Sequence, residues 1–176
     1  LGLTPNMGSL SKSLLNLELP GDTGAAYFAE KAVVTDLAPH KAESSGGEWL
    51  AAAHWPVSTE AESLSCKPNL WRPLLDQISW FEQAKLYLIR GSHPDGNEAQ
   101  FHADAGFDGL AMMKSGTWVS LHGSLRLRWT RSGAAEPSGA AAWQIASWET
   151  LSMESIASPS RLFVEAISQS NLDDAS

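Results

Sequence analysis

The sequence contains one cysteine, Cys66, and few positive charges. A lone cysteine forms neither an internal disulfide nor a cysteine metal cluster, so we expect an inert, partly buried thiol. Only 12 Lys and Arg stand against 20 Asp and Glu, which gives a formal net charge of −8. Binding to phosphate backbones requires cationic surface, so this charge balance argues against nucleic acid as a partner.

Long apolar runs are also missing from the chain. No stretch approaches the roughly 20 apolar residues that a membrane span needs, which predicts a soluble chain without a membrane span. No Asn-x-Ser/Thr sequence occurs, so glycosylation gives no indication of secretion. The chain starts at Leu1 without a signal-peptide pattern or an initiator Met, and we expect a domain of a longer or processed protein. The sequence leaves the compartment open.

Bulky apolar side chains are abundant instead. Hydrophobic residues make up 43% of the 176 residues, charged residues 18%, and eight residues are tryptophan. This composition and length are typical of one globular domain with a complete core. Each indole ring needs a place to be buried and a partner for its N–H, which indicates a core with bulky walls that could surround a cavity.

Spacing in the first half of the chain predicts helices. Residues 1–23 are interpreted as an extended arm with at most one helical turn or short strand, and residues 24–36 as a helix. Residues 49–58 are predicted to be an extended edge segment. The clearest helix is predicted over 69–83, where Pro73 lies in the first turn. Its apolar stripe has helical spacing and comprises Trp71, Leu74, Leu75, Ile78 and Phe81.

The second half alternates with a period of two, which predicts antiparallel strands at 85–91, 99–113, 117–131 and 141–155. A short helix is expected to follow Pro159. Gly106 and Gly109 lie inside the second strand and predict a bulge or sharp bend there. The order of elements predicts an α+β fold: a curved antiparallel sheet with helices packed on its concave face, forming a cone-shaped α+β roll.

The final strands carry a resemblance to a known family. Residues 116–123 read GTWVSLHG, residues 125–129 read LRLRW, and residues 142–149 read AWQIASWE. A long strand, a polar loop and a closing Trp-x-Ile-x-x-Trp strand resemble the end of the sheet in the nuclear transport factor 2-like superfamily, with its SnoaL-like, cystatin-like α+β roll. The resemblance covers about residues 24–155. It implies one such domain over 24–170, with 1–23 as an arm and 171–176 as a tail.

The polar face of the predicted strands holds the candidate chemistry. His102 and Asp104 share one face of the second strand, His122 lies on the polar face of the next, and Glu149 lies on the last. A histidine–carboxylate pair could perform general acid–base work if these faces meet. The alternative is a solvated or dimer-forming face, which is favoured by Arg126 and Arg128 on the same face as His122. The SnoaL-like cyclases use an acidic residue and a histidine inside the cone, and no such pair aligns here.

A metal site built from His102, Asp104 and His122 is chemically conceivable, because histidine and carboxylate suit zinc or iron. No two histidines are two or four residues apart, however, and no phosphate-binding loop or nucleophile elbow occurs. We therefore predict neither a metal nor a cofactor.

Three functions follow from this reasoning. The first is a non-catalytic ligand-binding or interaction domain with an apolar pocket for a small hydrophobic molecule. The second is a SnoaL-like enzyme, a cyclase, isomerase or dehydratase acting on a small hydrophobic substrate. The third is a dimeric assembly module, since a homodimer through the outer sheet face is expected, with Trp118 and Trp148 as candidate interface residues. The predicted pocket-lining residues are Trp55, Phe81, Phe101, Phe107, Met113, Trp143 and Ile145.

Overall fold

A computed structural model describes residues 5, 7–19, 27–40, 42–47, 49–66, 69–135 and 141–160. Two α-helices are described, α1 (Gly8–Leu15) and α2 (Arg72–Leu75), with short 3₁₀ turns at Leu64–Cys66 and Pro94–Gly96. The described strands are β1 (Phe28–Thr35), β2 (Glu43–Gly46), β3 (Ala51–His54), β4 (Glu62–Ser63), β5 (Ile78–Ser92), β6 (Gln100–Met113), β7 (Trp118–Ala135) and β8 (Ala141–Ser158).

The strands form one eight-stranded sheet, in which six strands follow the order β2-β3-β8-β7-β6-β5, β1 pairs with β8, and β4 pairs with β1. Strands β5 to β8 are an antiparallel meander, and β1 pairs in parallel with the first half of β8 while β3 pairs with its second half. The predicted α+β fold with a mostly antiparallel sheet is therefore confirmed. The sheet is open and uncurled over the described strands, and the predicted cone is not confirmed.

One face of the sheet is covered by the hydrophobic core. The predicted alternation in β7 is confirmed, because its apolar set is buried: Val119, Leu121, Leu125, Leu127 and Trp129. Trp71 lies at the centre of the core with its ring centroid 5.0 Å from that of Phe107 and 5.5 Å from that of Trp148. Trp148 is therefore a core residue and was wrongly expected at an interface.

Buried hydroxyl groups accept hydrogen bonds from the indole N–H groups of three core tryptophans, Trp55, Trp71 and Trp148. Thr150 Oγ1 accepts hydrogen bonds from Nε1 of Trp71 at 3.0 Å and from Nε1 of Trp148 at 3.1 Å. Ser155 Oγ accepts a hydrogen bond from Nε1 of Trp55 at 3.3 Å. Both hydroxyl residues are buried, so these bonds compensate the desolvation of the rings.

The helix predicted over 69–83 is wrong beyond its first turn. Helix α2 contains only four residues, and β5 begins at Ile78. Trp71 precedes the helix with a φ of 58°, and its backbone N–H donates to the buried Asp36 carboxylate at 2.9 Å. In a regular strand, residues three positions apart lie on opposite faces of the sheet. Register shifts near Ile78 and Phe81 instead place both residues on the core face. These bulges give a strand the spacing of a helix.

The predictions for the first 36 residues also need correction. The described part of the segment predicted as a helix over 24–36 is strand β1, in which Val34 is buried and Val33 is exposed. Adjacent β-branched residues favour a strand over a helix. The predicted arm contains the two-turn helix α1, whose Leu10 and Leu14 are buried in the core. Ser11 Oγ accepts a hydrogen bond from the Leu86 N–H of β5 at 2.9 Å.

The predicted bulge in β6 is wrong. From Gln100 to Met112, β6 pairs with β7 without a register shift. Gly106 instead makes room for an aromatic ring, because a Cβ atom there would lie 2.5 Å from Cζ of Tyr87. A shift in β8 does occur and leaves Leu151 exposed. The helix predicted after Pro159 lies outside the described residues.

Candidate functional site

The side of β5–β8 that faces away from the core, here called the outer face, carries an ordered set of charges. Residues directly opposite one another on successive strands form two rows across the sheet. The first row is Arg90, Asp104, Arg126 and Glu149. The second row is Lys85, Asp108, His122 and Glu154. Cross-strand neighbours of opposite charge are typical of a stabilised solvent-facing sheet.

Ion pairs connect the first row. Arg90 Nε donates to Asp104 Oδ2 at 2.6 Å, and Arg126 Nε lies 3.7 Å from Asp104 Oδ1. Arg126 also reaches Glu149, with Nη1 at 3.4 Å from Oε2. The hydrogen bond from Arg90 is the main cause that lowers the pKa of Asp104, and the charges of both arginines act in the same direction. Asp104 is therefore an anion at neutral pH.

A groove of about 420 Å³ lies over one end of this row. We call it the arginine groove; its lining residues are Arg90, Gly91, Ser92, His102, Ala103, Asp104, Arg126 and Arg128. His102 and Arg128 are cross-strand neighbours within it. Among the residues that the structure describes, the Arg128 side chain has no ion-pair partner and the His102 imidazole has no hydrogen-bond partner. The groove therefore contains polar groups with unused donor capacity.

The second row contains a histidine–carboxylate pair that sequence reasoning did not identify. His122 Nδ1 lies 2.7 Å from Asp108 Oδ1, and the side chains are 61% and 56% exposed. Tyr87 is the third member of this cluster. Burial is the main cause that raises the pKa of its phenol, and its hydrogen bond with Asp108 adds to the effect.

The four predicted catalytic candidates all lie on the outer face. Asp104 and Glu149 are joined through Arg126, whereas His122 pairs with Asp108 and not with either of them. Arg90 and Asp108 lie within the strands predicted at 85–91 and 99–113, and they were missed because no strand register was assigned. The signal that could have found them is the pairing itself, since a β6–β7 hairpin centred on residues 114–116 places residue 108 opposite 122.

The predicted pocket-lining residues lie on the opposite side of the sheet from this groove. Trp55, Phe81, Phe101, Phe107 and Ile145 are buried in the core, and Met113 and Trp143 pack against it. The apolar pocket stays a prediction. A second described cavity, of about 270 Å³, includes Leu17, Arg72 and Lys114 in its lining and none of these seven residues.

The end of the outer face nearest the β6–β7 turn is apolar. We call it the apolar end; it comprises Trp80, Leu110, Met112, Trp118 and Ile156. The rings of Trp80 and Trp118 meet edge to face with centroids 5.2 Å apart. Trp80 is 43% exposed and Ile156 is 45% exposed. Exposed apolar groups that lie together on a sheet are a feature of interaction surfaces.

The described part of the chain also bears on metal binding and on membrane insertion. Within it, no group of three or more His, Cys, Asp or Glu side chains could hold a metal ion. None of its helices has the length and apolar character needed to cross a membrane.

Similarity of the chain to known proteins is weak. No protein-family model matches the chain, and no curated protein matches it. Among solved structures, the chain is similar to a provisionally named aromatic ring hydroxylase from Novosphingobium aromaticivorans. The identity is 14%, the TM-score is 0.48, and the match covers 82% of this chain and 81% of the other.

Proposed function

We propose that this chain is a non-catalytic small-molecule-binding domain whose ligand site is the arginine groove on the outer face of the sheet. The observation that supports the proposal best is the unused donor capacity of Arg128 and His102 inside a concave site. A volume of about 420 Å³ is within the range of small-molecule sites, roughly 300–1,000 Å³. The apolar interior pocket of a cone-shaped, nuclear transport factor 2-like roll remains the alternative ligand site.

The enzyme alternative has weaker support. General acid–base catalysis depends on a positioned group that is sheltered from bulk water. The histidine–carboxylate pair that the structure forms, His122 with Asp108, is more than half exposed on both sides. Asp104 is held as an anion by two arginines, which makes it a poor proton acceptor at neutral pH.

Ligand titration followed by protein NMR tests the proposal. A set of small acidic, basic and neutral molecules is added to the labelled chain, and amide shifts are mapped. We expect shifts concentrated around His102 and Arg128, and their loss in Arg128→Gln. Lys85→Gln is the matched control, because it removes an exposed cation from the same face outside the groove. Amide shifts confined to core residues such as Phe107 would indicate a ligand site in the interior and contradict the proposal.

Self-assembly across the outer face is a second candidate, favoured by the order of the charges. Each row runs from a cation on β5 to an anion on β8, with an anion on β6 and a basic residue on β7. If two copies pack with their outer faces together, a two-fold axis that runs parallel to the strands, between β6 and β7, reverses the order of the charges in each row of the second copy. Arg90 would then face Glu149 of a second copy, and the apolar ends would face one another. Such an isologous contact is self-complementary in charge.

Sedimentation and charge exchange test the assembly. If the homodimer forms, Arg90→Glu should weaken it and the exchanged pair Arg90→Glu with Glu149→Arg should restore it. A monomer at high micromolar concentration would remove this candidate. The two functions compete for the same surface, because the dimer would cover Arg126 and Arg128. The oligomeric state therefore also reports whether the arginine groove is open in solution.

A further inference from the structure

We propose that the arginine groove selects small molecules that carry a single carboxylate group. This inference rests on the proposed function, since it names the class of ligand for the same site. The groove is lined by three guanidinium groups, on Arg90, Arg126 and Arg128, whereas two carboxylates, on Asp104 in the groove and on Glu149 beside it, pair with Arg90 and Arg126, so one positive charge is left over. A ligand with one negative charge neutralises the site.

The excess charge is localised on Arg128. Arg90 and Arg126 already share the oxygens of Asp104, whereas Arg128 has no ion-pair partner among the described side chains. A guanidinium group presents two parallel N–H donors that match the two oxygens of a carboxylate. His102 is the neighbour of Arg128 on β6, and Ser92 is the neighbour of His102 on β5. Both add donors beside the place where the carboxylate would bind.

Asp104 limits the charge that the ligand can carry. Its side chain is 25% exposed at the groove and its pKa is lowered, so it is an anion at neutral pH. Asp104 would repel a phosphate dianion bound beside it about twice as strongly as a monoanion in the same place. The chain as a whole carries −8, but charges more than about 8 Å away are largely screened at physiological ionic strength. The local excess on Arg128 therefore decides which ligands bind.

The floor of the groove favours an organic acid over a bare inorganic ion. Gly91 and Ala103 are cross-strand neighbours in its lining and add no polar side chain to it, because the Ala103 methyl group is buried on the core face. The guanidinium planes are weakly hydrated and accept apolar groups against their faces. The volume of about 420 Å³ exceeds that of a carboxylate alone, so a ligand with a short carbon skeleton would fill more of it.

Butyrate and its neutral analogue butyramide test the inference, because they differ little in shape and by one charge. Both are titrated into the full chain, and binding is followed by NMR at the groove amides. We expect butyrate to bind at least about tenfold more tightly than butyramide, since hydrogen bonds to charged groups are the strong ones. Arg128→Gln should remove this preference, and Arg128→Lys should retain part of it. Arg128 is exposed, and an unchanged melting temperature confirms that the variants are folded.

The outcomes separate the ligand class from the site itself. Equal binding of butyrate and butyramide in the groove would overturn the acid selectivity and leave the groove as a ligand site. Tighter binding of inorganic phosphate than of butyrate would overturn the preference for a single carboxylate. An absence of groove shifts with every probe at millimolar concentration would overturn this inference together with the proposed function.

Discussion

The two faces of the β5–β8 sheet differ in how their polar groups are used. On the core face, polar groups such as Thr150 and Ser155 are few and buried, and each is bonded to an indole N–H. On the outer face polar groups are many and exposed, and Arg128 is left without an ion-pair partner among the described residues. The core face therefore stabilises the fold, whereas the outer face retains polar groups that can bind a ligand. The following predictions test this division.

The largest effect is expected from the core. Phe107 is completely buried, and its ring meets those of Trp71 and Phe81. Phe107→Ala should lower the free energy of unfolding by about 3–5 kcal/mol, because it removes apolar burial and leaves a cavity. Urea denaturation measures the change. His122→Ala on the outer face is the control and should change the free energy of unfolding by less than about 0.5 kcal/mol. Equal effects for both variants would abolish the distinction between the faces.

The next effect concerns the buried hydroxyl group of Thr150. Thr150→Val keeps the shape of the side chain but removes the acceptor of two indole N–H groups. An unsatisfied buried donor costs about 1–3 kcal/mol, so we expect Thr150→Val to be clearly destabilising. Thr150→Ser keeps the hydroxyl and loses one methyl group, and should cost about 1 kcal/mol. If the serine variant is the less stable of the two, the hydroxyl has no such role.

A medium effect should appear where an aromatic ring covers a glycine. A Cβ atom at Gly106 would lie 2.5 Å from Cζ of Tyr87, so Gly106→Ala must displace the ring. We expect a loss of about 1 kcal/mol, at the low end for overpacking, because the outer end of a side chain can move. In a Tyr87→Ala background the same substitution should be neutral or stabilising. A double-mutant cycle measures this coupling, and additivity of the two changes would contradict the contact.

Sequence reasoning identified the strands of the meander more reliably than the elements before them. The alternation in β7 could be predicted because no bulge interrupts its pairing with β6 over residues 119–127, so the side chains keep a period of two. The apolar spacing in the first half led to a wrong helix prediction over 69–83, because bulges near Ile78 and Phe81 give a strand the spacing of a helix. The polar candidates were placed on the correct face, but their partners were not. Arg90 and Asp108 join the site through strand register, which depends on pairings between distant parts of the chain.

The smallest effect is expected from the ion pairs of the outer face, where exposure limits what each pair contributes. The pKa of Asp104 is lowered, chiefly by the hydrogen bond from Arg90. A carboxylate with a lowered pKa stabilises the fold above its unfolded pKa of about 4, and this contribution disappears as the pH falls through the folded pKa. Asp104→Asn should therefore shift the urea midpoint slightly at pH 7 and progressively less from pH 5 to pH 3.

The matched control for this pH series is Asp76→Asn, which removes one negative charge from a helix-surface pair with Arg72. Both variants change the net charge equally, so a pH-dependent difference between them isolates the contacts of Asp104 with Arg90 and Arg126. Raising the salt concentration should shrink the difference at pH 7, because exposed charges are screened. A midpoint shift for Asp104→Asn that is larger at pH 3 than at pH 7 would have the wrong sign and would contradict the assignment of Asp104 as a stabilised anion.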